Sequence, residues 1–174
     1  VYTTLPASHV LGGGGGTWTG CTQDRQYPQN VSDSTPTGAD GSKWNQPMYN
    51  VAAQLAYGCD GYEDRNLKTV DLTDDFDAVT DQLSIMTPYA YTHIALGVEF
   101  GYHMLSPNAP FTKGAAYDDK NVKKFMVVLT DGAQTAGAFG PGSARDPAQG
   151  DANLTKLCTS AKANNITIIT MAFD

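Results

Sequence analysis

Apolar positions are sparse and aperiodic through the first fifty residues and strongly patterned after them. Residues 1–50 hold the glycine run Gly12 to Gly16 and many Ser, Thr, Asn, Asp and Pro residues, which predicts long irregular loop. From Val51 the pattern sharpens: Val51, Ala52, Leu55 and Ala56 fit a short helix stopped by Gly58. Thr73 is placed to cap a helix in which Phe76, Val79, Leu83 and Met86 recur at helical spacing, and Pro88 marks its end. Asp74 and Asp75 sit where the positive end of that helix dipole favours anions. Thr92 opens a second helix, with Ile94, Val98, Gly101 and Leu105 on one stripe, Ala95 and Tyr102 widening it, and Ser106-Pro107 closing it. Such a broad stripe predicts a mostly buried helix.

Phe125 to Leu129 is an unbroken apolar run between Lys123-Lys124 and Asp131-Gly132, the pattern of a strand buried on both faces. A loop rich in Gly and Pro follows. A helix is then expected from about Asp151, with Leu154, Leu157, Cys158 and Ala161 on one face and Asn164-Asn165 at its end. Ile166 to Phe173 reads as another strand. Strand, helix and strand in succession require a crossover and hence parallel pairing, so the expected architecture is α/β with helices against a parallel sheet.

Composition narrows the function. With 174 residues, 41% of them apolar, the chain can build one core but not comfortably two. No run approaches the roughly 18 apolar residues of a membrane span, and the amino terminus lacks the regions of a signal peptide. The residues as given predict a soluble chain whose targeting or anchoring elements lie elsewhere. A net charge of −7, with Lys and Arg scattered, would repel a phosphate backbone, so nucleic acid is not an expected partner. Cys21, Cys59 and Cys158 show no C-x-x-C spacing, which argues against zinc and thioredoxin-like chemistry. They leave open three single-bridge pairings or buried free thiols.

Candidate chemistry centres on the sheet edge. Ligands of open parallel sheets bind at the carboxyl ends of the strands, so Thr130, Asp131 and Gly132 come first, although Asp-Gly also serves as an ordinary turn. The acidic run Asp71 to Asp77 lacks the alternation and glycine of an EF-hand, and the glycine run is followed by no Lys-Ser or Lys-Thr pair, which favours a flexible linker over a phosphate loop. His93 and His103 stand ten residues apart in the second helix, nearly opposite in angle, so packing roles are expected rather than a shared metal. No G-x-S-x-G or H-E-x-x-H occurs, Ser143 has no identifiable base, and Asp118-Asp119 reads as exposed loop, so a hydrolase is the weaker alternative.

The Thr opening an apolar helix, followed by an apolar strand ending in Leu129-Thr130-Asp131-Gly132, resembles two parts of the metal-ion-dependent adhesion site of von Willebrand factor A domains. The run Met86-Thr87-Pro88, Thr92 to Gly97, Leu105-Ser106-Pro107 and Pro110-Phe111 is similar to TadG-type (tight-adherence, Flp) pilus assembly proteins. So are Trp18 to Cys21 with Arg25, Gln134-Thr135, Leu157-Cys158 with Ala161-Lys162, Ile166, and Ala172 to Asp174. The likeness runs from Trp18 onward. It implies a partial, Rossmann-like von Willebrand A domain over residues 51–174, truncated at both ends, with residues 1–50 a long irregular insertion of the same domain.

What the resemblance implies for function is a non-catalytic protein-binding and assembly module of a bacterial adhesive pilus. It would act in the periplasm or at the cell surface, with its parent protein anchored to the inner membrane by segments not included here. Thr92 would contribute a hydroxyl and Asp131 a carboxylate to Mg2+, Mn2+ or Ca2+, hard cations that suit oxygen donors. The family's Asp-x-Ser-x-Ser loop is absent from these residues, and Ala90 replaces the glycine before the Thr, so the ligand set is a remnant. By the same resemblance Cys21 and Cys59 would form a disulfide and Cys158 would have lost its partner. A purely structural reading is the further alternative, in which Trp18, Trp44, Tyr27 and Tyr49 either dock a partner or plug their own loop onto the core. Unpaired strand edges also predict self-association.

Overall fold

The computed structural model describes residues 10–11, 22–45, 68–86, 91–142 and 145–173. Its elements are β1 (Val10–Leu11), β2 (Trp44–Asn45), α1 (Phe76–Ser84), α2 (Ile94–Leu105), β3 (Lys124–Thr130), β4 (Ala138–Phe139), β5 (Arg145–Asp146), α3 (Pro147–Ala163) and β6 (Ile166–Ala172). The fold is mixed α/β. The expected parallel pairing is present, β3 lying beside β6 in continuous register from Lys124↔Ile166 to Thr130↔Ala172. β1 pairs with β2 in parallel, and β4 with β5 antiparallel. The expected helix at Val51–Gly58 and the glycine run lie outside the described residues.

One face of the β3–β6 sheet carries the core. Ala95, Val98 and Tyr102 from α2, Leu157 and Ala161 from α3, and Met126 and Ile166 from the strands form one buried cluster. Gly101 faces Met126 across this contact, and a Cβ there would meet its sulfur at 3.4 Å, an ordinary van der Waals distance. A second cluster joins Trp44 to Leu96, Phe100 and Phe111. Lys124 opens β3 on the buried face yet is satisfied: its Nζ donates to the Leu105 carbonyl at 2.6 Å and to the Ala115 carbonyl, and it lies over the Tyr117 ring.

The other face corrects the expectation of a strand buried on both sides. Phe125, Val127 and Leu129 are 56%, 56% and 63% exposed, and Ile169, Met171 and Phe173 beside them are also exposed. Composition alone made the run look like an interior strand. Among the described residues helices pack on one side only, and alternate residues are exposed on the other.

Three helix starts also shift, each for a capping reason. α1 is capped by Asp75, whose carboxylate accepts from the Ala78 N–H, while the Thr73 hydroxyl accepts from Asp75 N. α2 is capped by His93 rather than Thr92, the Nδ1 atom accepting from Leu96 N. α3 begins at Pro147 after the Asp146 cap, four residues before the expected Asp151 start, since proline suits the first helical turn. It ends as expected, with Asn165 in the left-handed conformation (φ 59°) that asparagine tolerates.

Residues 22–45, expected as irregular loop, contain little regular structure but are firmly docked. Arg25 is fully buried: its Nε donates to Glu99 Oε1 at 2.8 Å, and its terminal nitrogens reach the Ser34, Ser32 and Gln29 carbonyls and His103 Nε2. Trp44 is likewise fully buried, with the guanidinium 4.8 Å from its ring centroid. This aromatic therefore plugs its own loop onto the core; Trp18 lies outside the described residues.

Candidate functional site

Of the two residues expected to hold a cation, Asp131 stands at the carboxyl end of β3 and Thr92 bonds to the loop that follows it. Asp131 follows the last residue of β3, is exposed, and takes part in no hydrogen bond or ion pair among the described residues. Thr92 immediately precedes the α2 cap and is half-buried. Three hydrogen bonds clasp it to the loop that Asp131 begins: Thr92 N donates to Thr135 Oγ1 at 2.8 Å, and Thr135 N and Ala136 N donate to the Thr92 carbonyl at 3.0 and 2.9 Å. The Thr92 hydroxyl takes no part in this clasp. The bend at Asp131-Gly132 is held by Thr130, whose Oγ1 accepts from Gly132 N at 3.3 Å.

Gln134 pins the middle of that loop. Its Oε1 accepts from Ala95 N in the first turn of α2, and its Nε2 donates to the Ala136 carbonyl at 2.7 Å. It packs so closely on α3 that a Cβ at Gly150 would lie 2.6 Å from its Cγ. Gln134 and Thr135 were visible in the sequence only through the family resemblance; no periodicity marks a loop residue that bonds to a helix start.

Behind the loop lies a buried polar group that periodicity did not reveal. Asp24 Oδ2 accepts from Phe139 N at 2.8 Å and from Asn30 Nδ2, and its Oδ1 lies 2.8 Å from Arg145 Nη2 and 3.8 Å from His93 Nε2. Burial alone would raise this carboxyl, but the His93 imidazole, the Arg145 charge and the Phe139 N–H together hold it below the ordinary value. His93 spends Nδ1 on the helix cap, and its Nε2 is buried without a hydrogen-bond partner among the described residues. His103 is neutral: burial and the neighbouring Arg25 charge push its pKa well below the ordinary value. His93 is thus a capping group and His103 a packing group.

Thr92 and Asp131 are the hard oxygen donors that Mg2+, Mn2+ or Ca2+ prefer. Among the described residues no group of three or more His, Cys, Asp or Glu side chains gathers into a metal cluster. Cys21 and Cys59 lie outside the described residues. Cys158, on α3, is half-buried as a free thiol, and burial raises its pKa. No described helix is long and apolar enough to cross a membrane. Searches against family models, curated proteins and solved structures returned no match to this chain.

Proposed function

We propose that the chain is a non-catalytic binding and assembly module of the von Willebrand A type, serving an extracytoplasmic adhesive pilus of the TadG kind through a cation-assisted protein contact. The observation that supports this reading is the clasp that ties Thr92 to Thr135 and Ala136, in the loop that Asp131 begins at the carboxyl end of β3. Thr92 and Asp131 would hold the divalent cation, which supplies an electrophilic point for a carboxylate of the protein partner; two protein ligands leave the rest of the shell to that carboxylate and water. His93 Nδ1 accepts from the start of α2 and His103 Nε2 lies against Arg25, which supports capping and packing roles for the two histidines.

Calorimetric titration with Mg2+ and Mn2+ tests the reading. Weak binding in the wild type, lost in Asp131→Ala, together with capture of pilus components that a chelator abolishes, is the expected result. Identical heats in both proteins, or capture indifferent to chelation and to the substitution, would overturn it. The structural reading without metal would then be favoured, the docked segment 22–45 being the observation behind it.

A further inference from the structure

Residues 22–45 are attached to the rest of the chain largely through buried polar groups. Their apolar anchors are Trp44, in a cluster with Leu96, Phe100 and Phe111, and Val31, at the margin of the main core. The polar anchors are Arg25, Asp24 and Asp33. Arg25 bonds to Glu99 and His103 on α2. Asp24 accepts from Phe139 N and pairs with Arg145. Asp33 bonds just past the end of α2, where its Oδ2 alone accepts from Ser106 Oγ at 2.6 Å, Tyr117 Oη at 2.5 Å and Asn108 Nδ2 at 2.9 Å.

Two of these contacts require an unprotonated group. Three donors converge on one Asp33 oxygen, which suits a carboxylate and is weakened in a carboxylic acid that must place its own proton. A guanidinium has donors only, so His103 Nε2, 2.8 Å from Arg25 Nη2, must be the acceptor, and a protonated ring would set donor against donor. The surroundings agree. Burial and the Arg25 charge push the His103 pKa well down, outweighing Asp33 and the Ser32 carbonyl, which favour the charged ring. Burial would raise Asp33, but its hydrogen bonds from Ser106, Tyr117 and Asn108, with His103 nearby, hold it below the ordinary value. Lys124 and Tyr102 also face Asp33, and both keep their protons in acid. Glu99 acts the other way: burial raises it from 4.5 to about 7 against the Arg25 charge, so its proton uptake favours the docked state as pH falls toward 4.5.

We infer that residues 22–45 form an acid-released strap, freed from α2 by protonation of Asp33 and His103 while the helix–sheet core stays folded. The core outlasts the strap because its buried members, such as Val98, Met126, Leu157 and Ile166, carry no group that titrates in acid. Release is expected below about pH 4, once Glu99 has taken its proton and Asp33 gains one.

Trp44 reports the position of the strap, since it is fully buried with Phe100 and His103 at ring-centroid distances of 5.4 and 4.9 Å. In a Trp18→Phe background it is the sole tryptophan. The test follows acrylamide quenching and the emission maximum of Trp44 from neutral pH downward, beside far-UV circular dichroism. Quenching should rise several-fold, and emission should move to the red, at a pH where the helical signal is unchanged. His103→Gln keeps an acceptor for Arg25 but takes no proton, so it should move this step to lower pH. Asp33→Asn removes the charge at every pH and should move the step to higher pH. A Trp44 step that coincides with loss of the helical signal would overturn the proposal, as would protection of Trp44 wherever the helical signal persists. So would a midpoint that either folded variant leaves unmoved. If Asp33→Asn lacks the helical signal at neutral pH, the direction of the His103→Gln shift decides.

Discussion

Arg25 shows how a single side chain holds an irregular segment. Its guanidinium donates to three carbonyls of residues 29–34, to Glu99 on α2 and to His103, so one buried cation ties the loop to the helix. Such a group is costly to bury and costlier to leave half-paired. Arg25→Met should lower stability by about 3–5 kcal/mol in chemical denaturation, because it strands the Glu99 carboxylate, whereas Arg25→Met combined with Glu99→Leu should recover much of the loss. Equal losses in the single and double variants would show that the carbonyl contacts rather than the ion pair dominate. In the sequence, Arg25 was marked by family likeness alone. Its partners on α2 are 74 and 78 residues away, a separation that no local pattern encodes.

At the scale of elements, periodicity located α1, α2, β3, α3 and β6, while the caps moved the helix starts. An N-cap is decided by which side chain reaches a free N–H, and at α2 His93 does so one residue after the Thr92 that composition favoured. The same level governs the candidate site, since the Asp131 loop is held by α2 and α3 together. Gly150→Ala should stabilise an isolated helix by roughly 0.5–1 kcal/mol, but here the added Cβ collides with Gln134, so a net loss of about 1–3 kcal/mol is expected in thermal denaturation. Faster hydrogen exchange at the Thr135 and Ala136 amides should accompany it, as these bond to the Thr92 carbonyl. Unchanged exchange would mean that the clasp stands without Gln134.

For the whole molecule, opposing buried groups shape the response to pH. Burial pushes Glu99 up to about 7 from 4.5 against the pull of Arg25, so its share of stability is present below 4.5 and is lost as pH rises through 7. His103 is depressed from 6.5, so its share is present above 6.5 and is lost as pH falls. Between 4.5 and 6.5 the two slopes oppose each other, and the wild type should show a plateau. Asp24 and Asp33 are held below 3.8; burial opposes this, but the Arg145 charge with His93, and hydrogen bonds from Ser106, Tyr117 and Asn108, outweigh it. Stability should therefore fall steeply below about pH 4. Glu99→Gln should convert the plateau, measured by denaturant melts, into a rise with pH; a plateau that persists would show that Glu99 does not titrate there.

The order of α1, α2, β3, α3 and β6, the parallel pairing forced by strand, helix and strand, and the burial of α2 were determined by the sequence alone, because 3.6-residue and unbroken apolar patterns are local properties. Tertiary structure decided which sheet face is covered, how residues 22–45 dock, and what clasps Thr92 to the Asp131 loop. Each of those depends on partners tens of residues apart, and a buried polar side chain reads like a surface one until the group it bonds to is in place.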